Sequence, residues 1–126
     1  MKAFYIPAGI LILILAVSLW TSHYVDQRTD HWIALLEQAD DTGRHEDWPS
    51  AQNHLNKAYQ DWNNCQTFFH TIMEHDTLDE AELLFQGAIA VCEEQDDADF
   101  HLLLAQLMAQ LQHMAETQSV SIKNIL

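Results

Sequence analysis

Six side chains make the chain's best case for chemistry: His75, Asp76, Asp79 and Glu82 in one stretch, His113 and Glu116 in another. Asp79 and Glu82 stand three apart, as do His113 and Glu116, so on a helix each pair shares a face. Imidazole with carboxylate suits a divalent transition metal, which makes a metal- or cation-binding sensor the alternative reading of the domain. A simpler account needs no ligand. Asp76 and Thr77 fit helix caps, and carboxylates gather at helix starts because the helix dipole favours negative charge there. Turning at roughly 100° per residue, His113 and Glu116 fall away from Leu107 and Leu111 and face water. No cofactor is expected.

Other constellations are weaker. His45, His70 and Glu74 offer only the short spacings common in helices rich in His and Glu. No Ser or Cys has a base and an orienting third group that the sequence can place near it. Gly43 and Gly87 are isolated, so there is no glycine loop for phosphate. The chain is not expected to be an enzyme. Trp48, Tyr59, Trp62 and Phe69 can line a groove for a partner peptide, although their helical spacing puts them in a core first.

Helices must carry these residues, and the first helix dominates the chain. Ala3 to Val25 contains no Asp, Glu, Lys or Arg, and its centre (Ile10, Leu11, Ile12, Leu13, Ile14, Leu15) is wholly aliphatic. At about 1.5 Å of rise per residue such a run covers roughly 30 Å, the thickness of a bilayer's hydrocarbon core. Residues 1–25 are therefore expected to be a single-pass transmembrane anchor in the cell membrane. Lys2 precedes the run and acidic residues follow it, so the amino terminus is cytoplasmic and residues 26–126 are extracytoplasmic. Trp20 and Tyr24 fall at the outer interface and Tyr5 near the inner one. A cleaved secretory signal competes, with Ala16-Val17-Ser18 as a processing site. The apolar run continues through Leu19 and Trp20 into a helical pattern without a linker, which favours a retained anchor.

All 19 acidic residues follow Val25, against Arg28, Arg44, Lys57 and Lys123, so this part carries −15 with His neutral. Such a surface repels nucleic acid and anionic lipid headgroups, and favours cationic partners or loosely held divalent ions. Cys65 and Cys92 are the two cysteines. A bridge is permitted outside the cytoplasm, but both sit on apolar helical faces, where a cysteine also serves as a small buried hydrophobe.

From Val25 the apolar residues recur at helical spacing through Trp32, Leu35, Leu36 and Ala39. This predicts one rod from the membrane helix to about Asp41, with Gly43 as its left-handed stop. Asp47 then caps a second helix whose stripe runs unbroken from Trp48 through Leu55, Trp62, Cys65 and Phe69 to Met73. Thr77 and Glu80 have capping-box spacing for a third helix that includes Leu78, Phe85 and Cys92. Beyond an acidic joint, Phe100, Leu104, Leu107, Leu111 and Met114 mark a fourth. The tail 119–126, with four aliphatic residues, is expected to fold back on the bundle. Asp47-Trp48, Ala51 and Leu55 recur about 52 positions later as Asp99-Phe100, Leu103 and Leu107. The expected fold is all-α: a transmembrane helix continuing into an antiparallel four-helix domain of two helical hairpins, like a short helical repeat.

Several stretches together resemble the bacterial domain of unknown function 4363 family along essentially the whole chain. They are Glu46-Asp47-Trp48, Trp62, His75 through Glu82, Gln112-His113-Met114-Ala115-Glu116, and Ser121 through Leu126. Lysine is scarcer, and His and Gln more frequent, than in that pattern. The resemblance implies an uncleaved amino-terminal membrane helix and a helical domain; it brings no activity and no site residues. The expected function is a protein-interaction or scaffold module, with membrane lipid and a protein, a second copy included, as partners.

Overall fold

The computed structural model describes residues 2–72 and 75–125, with backbone alone for residues 2, 4, 72 and 118–125. Five helices account for the described elements: α1 (Lys2–Arg44), α2 (Trp48–Asn64), α3 (Gln66–Ile72), α4 (His75–Glu94) and α5 (Asp97–Ile125).

α1 is one helix in two environments. Ile10 to Ile14 are 48–66% exposed, whereas Trp32, Leu36 and Ala39 are completely buried. The helix runs three residues past the expected Asp41, and Gly43 is not its left-handed stop. Glu46 takes that conformation, at φ 59°. Gly43 is glycine for a packing reason: a Cβ there would lie 2.9 Å from a ring carbon of Phe100.

α2 starts as expected, with the Asp47 carboxylate accepting a hydrogen bond from the Ser50 N–H at 3.4 Å. The single helix expected through Met73 is, however, interrupted. The Cys65 N–H bonds to the Trp62 carbonyl three residues back (3.1 Å), tightening the turn so that α2 ends at Asn64 and α3 begins at Gln66. Trp62, Cys65 and Phe69 are all buried, so the apolar rhythm passes through the break unchanged. Met73 lies outside the described residues.

α4 starts at His75, two residues before the expected Thr77 cap, which leaves Asp76 in its first turn. The expected fold-back of 119–126 is also corrected: α5 stays helical through Ile125. No glycine or proline follows Asp97 to stop it.

The internal recurrence has a period of 49 rather than 52 residues. After α1, Glu46 N–H bonds to Gly43 O and Asp47 N–H to Thr42 O; after α4, Gln95 N–H bonds to Cys92 O and Asp96 N–H to Val91 O. Gln95 shares the φ of Glu46, and Asp96 caps Asp99 as Asp47 caps Ser50. Burial follows the same register. Ala51, Leu55, Ala58, Trp62 and Cys65 of the first half correspond to Phe100, Leu104, Leu107, Leu111 and Met114 of the second. Thr29, Trp32, Leu36 and Ala39 likewise correspond to Leu78, Ala81, Phe85 and Ala88. The packing matches too: α1 lies against α2 and α5, and α4 against α5 and α2.

Candidate functional site

Three regions outside the core gather polar or aromatic side chains. The first is a collar where α1 leaves its apolar stretch. Tyr24 stacks on Trp20 (centroids 5.8 Å apart) and meets the ring of Phe68 on α3 edge-on at 4.9 Å. Arg28 lies over the other side of Tyr24, 5.5 Å from the ring centroid, a cation–π contact. Tyr24 OH is 3.6 Å from Cys65 Sγ, at the break between α2 and α3. Phe68, three residues past that break, meets α1 at this level.

Just above the collar, Asp61 of α2 ties two residues of α1. It accepts a hydrogen bond from Trp32 Nε1 at 2.6 Å and pairs with Arg28 at 3.3 Å. The carboxylate's charge holds the Arg28 guanidinium still more firmly protonated than usual. The indole N–H of a buried tryptophan needs an acceptor, and here a charged one supplies it.

The second region joins the α1–α2 and α4–α5 connections at the opposite end of the bundle. His101 Nδ1 contacts an Asp40 carboxylate oxygen, and its Nε2 lies 2.6 Å from Asp97 Oδ1. Asp40 is also paired with Arg44 at 3.4 Å. This clamp joins α1 to α5 through Nδ1 and Asp40, while Nε2, though close to Asp97, is buried without a hydrogen-bond partner.

The third region holds the residues that sequence analysis singled out for a metal, and the structure does not converge them. Among the described residues, no three His, Cys, Asp or Glu side chains come together with the geometry of a metal site. Glu82 turns toward α2, where Tyr59 OH donates to it at 2.5 Å, while Gln86 Nε2 donates at 2.8 Å. The bond to Glu82, helped by burial, raises the Tyr59 hydroxyl's pKa above that of a free tyrosine. His75 instead meets His70, their Nδ1 atoms 3.0 Å apart. Asp76, Asp79, His113 and Glu116 are exposed. A shallow groove between α2, α3 and α4 does touch Trp62, His70, Asp79 and Glu82.

Of the four aromatics considered for a partner groove, Trp62 and Phe69 are buried in the core. Trp48 and Tyr59 pack on its edge, Trp48 against Phe100 at 5.4 Å and Tyr59 against Phe85 at 5.5 Å. Cys65 and Cys92 are buried free thiols. Burial, with the nearby Glu93 charge, pushes the Cys92 thiol's pKa up. Asp61, Asp40 and His101 could not be found from the sequence, because their partners on other helices are 29 to 61 positions away.

No curated protein and no solved structure matches the chain. A family model described as a domain of unknown function (DUF4363) matches residues 19–125. That stretch takes in the collar and all five helices, α1 only from its second half, and the chain belongs to this family.

Proposed function

We propose that the chain is a single-pass membrane protein whose helical domain works by contact rather than catalysis, as a scaffold or docking module at the cell surface. Residues 1–25 are its anchor, and 26–126 form two stacked helix pairs on the extracytoplasmic side. The observation that carries this reading is the split character of α1. Its first half is apolar, long enough to cross a membrane and exposed throughout residues 5–14, and its second half buries Val25, Trp32, Leu36 and Ala39 in the bundle core. Large aliphatic side chains left open in succession are costly in water and favourable in lipid. Because the helix has no hinge, the domain is held at a fixed distance from the bilayer.

The described polar contacts support a contact function. Asp61, the His101 clamp and the Tyr59–Glu82 bond each bind helix to helix, and none presents a nucleophile with its base. A surface of −15 favours the cationic face of a protein partner over nucleic acid. Crosslinking of intact membranes, followed by mass spectrometry of what is joined to the chain, tests this. Recovery of a protein neighbour, or of a second copy, is expected. A chain that washes from membranes in carbonate, or a reporter fused behind residue 126 that is active inside the cell alone, would overturn the anchored arrangement.

A further inference from the structure

We infer that the domain also touches the bilayer directly, seating α3 and the last turns of α5 in the headgroup layer around the exit point of α1. This rests on the membrane reading above and goes beyond it: the anchor would be one of two lipid contacts. The geometry follows from register. Asp40 meets His101 and Gly43 meets Phe100, so α1 and α5 run antiparallel. Counting back along α1 as α5 advances brings Ile125 level with about residue 17, well inside the apolar stretch. On α3, Phe68 already lies at the level of Trp20 and Tyr24.

Burial along α1 agrees. Val25 is 1% exposed and Thr21 8%, and partial cover continues on the same face through Ser18 to Leu15. Protein therefore flanks the last two or three turns of an apolar run that is itself just long enough to span. The elements doing so must share the depth of the outer interface.

Charge is sorted by the same plane. No acid lies in 2–25, in α3 or in α5 beyond Glu116, while Asp26, Asp76 and Glu116 stand at the water-side edge of that plane. At the other end, Asp40, Asp41, Glu46, Asp47 and the acids of the α4–α5 joint are gathered. A surface meant for water has no reason to exclude carboxylates from one end. One that meets a negatively charged leaflet does. Trp20 and Tyr24 then supply the amphipathic aromatic rings that interfaces favour, with Phe68 packed against both. The occupant of this end is phospholipid.

The test uses the full chain in vesicles of equal parts phosphatidylcholine and phosphatidylglycerol. A photoreactive benzoylphenylalanine is placed singly at Leu13, Thr71 or Gln95, all exposed. Phospholipid adducts are expected from the Leu13 and Thr71 probes and not from Gln95. A Trp20→Ala, Phe68→Ser pair of changes should lower the Thr71 adduct several-fold and leave the Leu13 adduct unchanged. An adduct at Leu13 with none at Thr71 overturns the second contact while the anchor stands. No adduct at Leu13 overturns the anchor, and this inference with it.

Discussion

The two halves of the bundle share a scaffold and differ in how they fill it. Each is a long helix, a left-handed residue, an aspartate cap and a second helix, repeated every 49 residues with burial in step. Between α2 and α4 the filling is aromatic and partly polar: Trp62 lies 5.2 Å from Phe85, and Tyr59 reaches Glu82. At the equivalent positions between α5 and α1 stand Leu111 and Leu36, Met108 and Ile33, with no polar group among them. A frame set by turns and caps thus tolerates different cores, provided each side fills its space.

The sharpest break in that comparison comes from truncating equivalent residues. Trp62→Ala is expected to cost about 3–5 kcal/mol, and more than Leu111→Ala, because indole leaves the larger cavity. Urea unfolding of the full chain in detergent micelles, followed by far-ultraviolet circular dichroism, measures both. Equal costs would mean that the aromatic interface is no more tightly filled than the aliphatic one.

Volume is traded at a second pair of equivalent sites. Gly43 gives room to Phe100, while the corresponding residues are Cys92 and Ala51. Phe100 is fully buried and braced by Trp48, so it has little freedom to move aside. Gly43→Ala should therefore destabilise by about 1–3 kcal/mol, an overpacking cost. Adding Phe100→Leu should recover part of it, and Cys92→Ala at the equivalent site should cost less. Fully additive effects of Gly43→Ala and Phe100→Leu would show that the two positions do not compete for space.

This exchange also explains what was legible in the sequence. The helices, the long run of α1 and the core stripes could be read because apolar residues keep helical spacing. The recurrence could be seen, but Phe100 drew the match to Trp48 as the next aromatic after an aspartate. Its structural counterpart is Ala51. Asp47 recurs as Asp96, yet four further acids nearby hide it. The break at Cys65 could not be read, since neither glycine nor proline makes it. Nor could the uses of Asp61, Glu82 and His101, each defined by a partner on another helix. The six candidate metal residues are not brought together among the described residues for the same reason: shared faces within a helix say nothing about which helices face each other.

The polar side of the comparison is testable by pH. The Tyr59 hydroxyl is neutral in the folded chain beyond its ordinary range, chiefly through its bond to Glu82. A pKa raised on folding gives stability that is complete below pH ~10 and is lost as pH climbs through the folded value. The chain should therefore weaken in strong alkali. Tyr59→Phe should flatten that loss at a cost near 1 kcal/mol at neutral pH. Part of the slope should remain from Cys92, raised by burial, until Cys92→Ala removes it. An unchanged alkaline slope in both variants would assign the loss elsewhere.

The smallest effect bears on what the halves have in common. Glu46 and Gln95 both hold φ 59°, a conformation in which a side chain crowds its own backbone and glycine does not. Glu46→Gly and Gln95→Gly should each raise stability, by about 0.5 kcal/mol once the extra entropy of the unfolded glycine is set against the relieved crowding. The sites lie in separate loops with the same hydrogen bonds, so the gains should be alike and should add. A gain at one site and a loss at the other would mean that the matching turns differ energetically. The repeat would then be a likeness of shape without a shared physical cause.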